Sequence, residues 1–345
     1  MDHLDLSAVS AVADDLFVPD ATHGLSLAMV VMHRGEVVFE RYGSQPDTVF
    51  GPGAAVTADT TLISWSMAKS ITHAAVGALV ADGLLQIDAP APVPAWQGTD
   101  KEEITLQHLL EMRPGLLWVE DYVDDSISDC IEMLYGSAAS DMAGYAANLP
   151  LVHEPGTVFN YSSGMTNIIS RIVGDVVLAS ESAGDPAVSE AEERRLAMES
   201  FLQQRVFAPA GMTSAIPKFD DSGTFVGSSY VYATARDFAR FGDWYRSALS
   251  DRSATLLAQW AEYARTFSAH DESFDYGAHW WLWRDHPGTF GCHGYEGQYT
   301  IVVPNRELVL VHLGKSPEEA REPVFAALRR LIDAAPIRPS AINRG

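Results

Sequence analysis

Cysteine is nearly absent: Cys130 and Cys292 are the two in 345 residues. Two cannot build a disulfide framework, and neither stands in a Cys-x-x-Cys pair. Lysine is also scarce, with four residues at positions 69, 101, 218 and 315, so the remaining basic residues are arginine. Positive charge is outweighed by negative, 23 Lys and Arg against 46 Asp and Glu, for a formal net charge of -23. A field of that sign opposes nucleic acid and anionic membrane, and neither is expected as a partner. No stretch approaches the roughly 18 uninterrupted apolar residues of a membrane-spanning helix. Residues 1–19 contain no Lys or Arg and no long apolar run, so no signal peptide is read there and the expected location is cytoplasmic. There is no G-x-S-x-G elbow and no H-E-x-x-H, and the 11 histidines are scattered without metal-ligand spacing. No cofactor and no metal are expected.

What is present is ordinary globular composition, 47% apolar and 20% charged, in a chain long enough for two small domains or one large intertwined one. Residues 25–42 read as a β-hairpin: LSLAMVVM and EVVFERY are β-rich, and Arg34-Gly35 supplies the turn. A matching pair lies near the end, QYTIVV and ELVLVHL, turned at Pro304-Asn305-Arg306. After it, Ser316-Pro317-Glu318-Glu319 resembles a helix start with a capping box, although Pro323 offers a later start. Between the hairpins, residues 66–85, 104–113, 138–148, 163–179, 188–206 and 235–249 favour helix. Residues 180–189 are small and acidic and read as a surface loop. Strands at both ends with helices between predict an α/β fold: an antiparallel sheet built from both termini, flanked by helices, with an inserted all-helical region. The expected division is 1–65 with 235–345 as a sheet-plus-helix part and 66–234 as a mostly helical part, one unit with its site between them.

Three segments carry chemistry. In Ser64-Trp65-Ser66-Met67-Ala68-Lys69-Ser70, Ser66 and Lys69 stand three apart at the opening of a helix and share one face. A hydroxyl and an amine held this way form a nucleophile–base pair if burial lowers the amine's pKa. Alone, the pattern equally describes a helix cap and a surface charge, but it is the one Ser-x-x-Lys in the chain. In Glu154-Pro155-Gly156-Thr157-Val158-Phe159-Asn160-Tyr161-Ser162-Ser163, a Pro-Gly turn leads to Tyr161 on a loop before a helix. There it is either a core tyrosine or, as a phenolate beside an ammonium, a general base. In Gly291-Cys292-His293-Gly294-Tyr295-Glu296-Gly297-Gln298, glycines precede a strand; this is either a tight turn or an edge whose backbone a ligand can approach.

These three segments, in this order, resemble the serine β-lactamase and penicillin-binding-protein superfamily, and within it the class C-like branch of esterases and 6-aminohexanoate-dimer hydrolases. Connecting phrases match as well: Gly83-Leu84-Leu85-Gln86-Ile87-Asp88, Leu109-Leu110-Glu111-Met112, Phe207-Ala208-Pro209-Ala210-Gly211-Met212 and Tyr232-Ala233-Thr234-Ala235-Arg236-Asp237. The resemblance runs over about residues 25–333 and implies a β-lactamase/transpeptidase-like fold. It implies Ser66 as the acylated nucleophile, Lys69 as its activating amine and Tyr161 as the tyrosine of the second motif. It further implies an oxyanion hole from the backbone N–H groups of Ser66 and Tyr295, and leaves open which of Lys69 and Tyr161 takes the first proton. Tyr122 is similarly placed to a tyrosine that a covering loop supplies in the dimer hydrolases, and the acids around it, Glu120, Asp121, Asp124 and Asp125, either attract a substrate amine or form a solvated acidic loop. Ser163, His293 and Gly294 are implied as substrate-binding positions. Two departures stand out: Ser163 occupies the place of an Asn, and Cys292-His293-Gly294 replaces Lys-Thr-Gly. That Lys and Thr help hold a β-lactam carboxylate, so the resemblance implies hydrolysis of esters or small linear amides, unless an arginine such as Arg284 replaces the Lys. A β-lactamase or D-alanyl carboxypeptidase, or an inactive relative that binds a ligand, are the competing expectations.

Overall fold

The computed structural model describes residues 3–18, 24–49, 51–122, 127–180, 187–250 and 256–337. Residues 123–125 of the acidic stretch after Tyr122 and residues 181–186 of the expected surface loop lie outside them. Both expected hairpins form. Strands β1 (Leu25–His33) and β2 (Glu36–Tyr42) turn at Arg34 and Gly35, with φ of 58° and 82°. Left-handed geometry at both turn positions matches the right-handed twist of the flanking strands. Three short strands follow much later in the chain, β3 (Ala269–His270), β4 (Asp275–Tyr276) and β5 (Trp281–Leu282). Then come β6 (Phe290–Gly294), β7 (Gln298–Val303) and β8 (Leu308–Lys315). The sheet is antiparallel throughout, in the order β2-β1-β8-β7-β6-β5-β4-β3. β1 from near the start pairs with β8 from near the end, Met29 opposite His312, so both termini build one sheet as expected.

Every residue of β7, and nearly every residue of β1 and β8, is buried regardless of parity, so both faces are covered. Helix α1 (Leu6–Leu16), which the sequence pattern did not announce, packs with the C-terminal helix α10 (Arg321–Asp333). Phe325 of α10 meets Tyr299 and His293, while Gly242 of α8 (Ala235–Ser250) sits against Thr300, Val302 and Val309. Alternate residues of β7 thus face different helices. α10 begins at Arg321 rather than at the expected box: Glu318–Ala320 form a 3₁₀ turn with no side-chain cap, and Pro323 falls in the first turn, where its missing N–H costs nothing.

The middle of the chain is helical: α2 (Ala68–Ala81), α3 (Leu106–Leu110), α4 (Asp129–Tyr135), α5 (Met142–Asn148), α6 (Ser163–Ser180) and α7 (Glu190–Leu202), with α9 (Leu256–Ala264) following α8. α2 is buried on nearly every side, the mark of a central helix. α3 starts at Thr105, whose hydroxyl accepts from the His108 N–H while the His108 ring takes the Thr105 N–H. Nearly all the buried hydrophobic residues form one continuous cluster. Among the described residues no helix is long and apolar enough to cross a membrane.

Candidate active site

Ser66 lies in a 3₁₀ turn, Trp65–Met67, that runs directly into α2. Trp65 has φ of 44°, a left-handed value that a bulky residue seldom adopts, and the turn presents Ser66 to a cleft of about 510 Å³. One helical turn on, Lys69 is 1% exposed. Its Nζ donates to Ser66 Oγ at 2.9 Å, to Ser163 Oγ at 3.0 Å and to the Ser228 carbonyl at 3.1 Å. Burial lowers the Lys69 pKa, and the Glu120 carboxylate opposes that by a smaller amount. An amine so placed can accept the Ser66 proton: once neutral, Nζ has a lone pair where it now has a donor.

Tyr161 lines the same cleft as Ser66. The Lys69 ammonium sits 4.9 Å from the centre of its ring, and Trp281 packs against it at 5.1 Å. The phenolate weighed from the sequence is not the resting form. Burial, with Glu120 adding to it, pushes the Tyr161 hydroxyl well above the usual phenol range.

Glu120 is a residue of the site that the sequence does not single out among the acids around Tyr122. Its carboxylate turns inward and accepts from Trp118 Nε1 at 2.6 Å, from the Ser163 N–H at 2.8 Å, from Ser163 Oγ at 2.6 Å and from the Tyr122 hydroxyl. Ser163, expected on the substrate wall, is 1% exposed and lies behind it, relaying between Lys69 and Glu120. A serine can do this where a longer Asn would project further, because its one oxygen both accepts and donates. Tyr122 does line the cleft, its ring packed at a 36° tilt against Tyr295 with ring centres 4.8 Å apart.

Gly294 ends β6 beside the nucleophile turn, and Tyr295 opens the turn that follows. A Cβ on Gly294 would lie 2.4 Å from the Ser64 carbonyl oxygen and 3.2 Å from Trp65 Cβ, so only glycine lets the two backbones meet. His293 borders the cleft but is 7% exposed. Its Nε2 accepts from Trp283 Nε1 at 3.1 Å, which leaves the proton on Nδ1, a buried atom with no partner. Burial holds the ring's pKa well below its ordinary value, so it is neutral. Cys292 is buried away from the cleft. Arg284 does not take the place of the missing Lys: it is tied to Asp275 at 2.6 Å and to the carbonyls of Asp271, Glu272 and Phe274. The arginine on the cleft wall is Arg321. A second hollow, about 560 Å³ between α5, α6 and α7, contains none of these groups. Among the described residues no group of three or more His, Cys, Asp or Glu is placed to hold a metal ion.

The family model described as Beta-lactamase matches residues 13–335. A candidate 6-aminohexanoate-dimer hydrolase from Bacillus anthracis shares the fold with a TM-score of 0.69 at 20% identity, over 94% of this chain and 80% of that one. A penicillin-binding protein from Bacillus halodurans gives 0.67 at 18%, over 94% and 99%. The D-alanine carboxypeptidase AmpC from Burkholderia cenocepacia gives 0.64 at 17%, over 95% and 98%. No curated protein matches the chain.

Proposed function

Since the chain belongs to the serine β-lactamase family, we propose that it is a serine hydrolase that cleaves esters or small linear amides through an acyl-enzyme on Ser66. The observation that carries this is the buried Lys69 amine, 2.9 Å from Ser66 Oγ and with its pKa lowered by burial. In this reading Lys69 takes the Ser66 proton as Oγ bonds to the substrate carbonyl carbon. The carbonyl oxygen becomes an oxyanion facing the N–H groups of Ser66 and Tyr295. Collapse of that intermediate expels the alcohol or amine, which takes a proton passed from Lys69 through the neutral Tyr161 hydroxyl. Water then attacks the acyl-enzyme by the same proton route in reverse, releasing the acid and restoring Ser66. Residues 1–65 with 235–345 and residues 66–234 are, in this reading, the two parts of one unit; the cleft draws Ser66, Glu120 and Tyr161 from one and Trp281, Tyr295 and Arg321 from the other.

Esters and linear amides are preferred to β-lactams because the motif that usually grips a β-lactam carboxylate offers here a buried Cys292 and a neutral His293. A second reading, a β-lactamase or D-alanyl carboxypeptidase, rests on Arg321, a cation on the same cleft wall. The test of the hydrolase itself is Ser66→Ala. It should abolish turnover of p-nitrophenyl butyrate without unfolding, and intact-mass spectrometry of the wild type with a fluorophosphonate should place one adduct on Ser66. An adduct on another serine, or none, sinks the assignment and favours an inactive ligand-binding relative.

A further inference from the structure

The turn that carries Tyr295 is held from behind by two buried side chains of the sheet. Tyr295, Glu296 and Gly297 link β6 to β7, with Gly294 paired to Gln298. Glu296 and Gly297 have φ of 58° and 86°, so the turn is left-handed at two successive positions, one of them not glycine. All three of its carbonyls are taken. Gln298 Nε2 donates to the Tyr295 carbonyl at 3.1 Å, to the Glu296 carbonyl at 3.2 Å and to the Gly314 carbonyl of β8 at 2.7 Å. Its Oε1 accepts from the Gly314 N–H at 3.1 Å, which fixes the amide's orientation, since the reverse would set oxygen against three oxygens. His312 Nδ1 donates to the Gly297 carbonyl at 2.7 Å, and Nε2 accepts from Ser26 Oγ at 2.9 Å. Ser26 lies at a register shift in β1, where the strand departs from regular pairing to β8. Gln298 is 2% exposed and His312 is not exposed at all, so neither touches substrate.

We infer that Gln298 and His312 are positioning residues for the oxyanion hole, holding the 295–297 turn so that the Tyr295 N–H stays aimed at the space above Ser66. The inference rests on the Ser66 reading. The physical reason is that an oxyanion donor works only within about 2.7–3.1 Å of where the charge develops. A turn with two left-handed positions would relax without the bonds on its carbonyls. Anchoring those carbonyls to β7, β8 and, through His312, to β1 ties the donor to the most buried part of the sheet.

The test uses the full chain, p-nitrophenyl butyrate, and phenylboronic acid, which becomes tetrahedral on a serine oxygen and so reads the oxyanion site. Gln298→Met keeps length and burial but removes every donor. It should lower kcat at least tenfold, short of the roughly 10²–10³ for outright loss of a donor, with KM within about twofold, and weaken the boronic acid by the same factor as kcat. His312→Leu should act in the same direction, and His312→Asn, whose amide can reach the Gly297 carbonyl, should recover most of the loss. If Gln298→Met does not fold, the two His312 variants decide. Wild-type kcat and boronic-acid affinity in a folded variant lacking the donor overturn the inference while leaving Ser66 acylation intact. Absence of a Ser66 adduct in the wild type overturns the underlying reading and this inference with it.

Discussion

Gly294→Ala is the sharpest test of how the cleft is built. The added Cβ would stand 2.4 Å from the Ser64 carbonyl oxygen and 2.9 Å from Gln298 Cβ, where ordinary contact begins at about 3.4 Å. The edge of β6 must therefore retreat from the nucleophile turn by about 1 Å, against backbone on one side and a buried residue on the other. Overpacking of this kind costs about 1–3 kcal/mol of stability, which a thermal melt detects and a domain of this size survives. The catalytic cost is larger. A shift of about 1 Å carries the Tyr295 N–H out of hydrogen-bond range of an oxyanion at Ser66, and loss of one such donor costs about 10²–10³ in kcat. A misplacement of that size costs about 10²-fold on positional grounds alone. The assay is kcat and KM for p-nitrophenyl butyrate on folded variant, beside the rate at which a fluorophosphonate labels Ser66. Both rates should fall together while KM changes little. A folded Gly294→Ala enzyme with wild-type kcat would show that close approach of the two backbones is not what completes the site.

Three further outcomes follow from the same geometry. Lys69→Ala and Tyr161→Phe should each lower kcat by about 10²–10⁴, and the double variant should lose little more than the worse single one, because they pass one proton; full additivity would make one of them structural. Glu120→Gln should move the acid limb of the kcat/KM profile to lower pH: the carboxylate raises the Lys69 pKa against burial, so removing its charge lets Lys69 lose its proton at a lower pH. An unmoved limb, or one moved upward, would remove Glu120 from the proton balance. Nitrocefin should show a lower kcat/KM than p-nitrophenyl butyrate on one preparation; parity or reversal would give Arg321 the role of the missing Lys, and Arg321→Ala would then lower the nitrocefin rate selectively.

What the sequence by itself determined about this protein is what short range controls. The Arg34-Gly35 turn needs only two neighbouring residues to close β1 on β2, and the Ser66–Lys69 pair needs only one turn of helix to meet. The order of the β-rich segments, at both ends with helices between, extended this to an antiparallel sheet made from both termini, and the resemblance across three spaced motifs extended it to the family. The tertiary structure alone decided the rest, because the partners are far apart in the chain. Glu120 lies 43 residues from Ser163, and the Ser228 carbonyl 159 from Lys69; no local pattern marks Glu120 as an acid that folds inward. Ser163 was legible as a departure from the usual Asn, but its burial behind the wall depends on where α6 meets Lys69. β3, β4 and β5 span two residues each, too short for a period of two to show, yet they carry Trp281 into the cleft. Burial sets the direction in which the pKa values of Lys69, Tyr161 and His293 move, because the cost of a buried charge is set by everything packed around it rather than by the residues on either side.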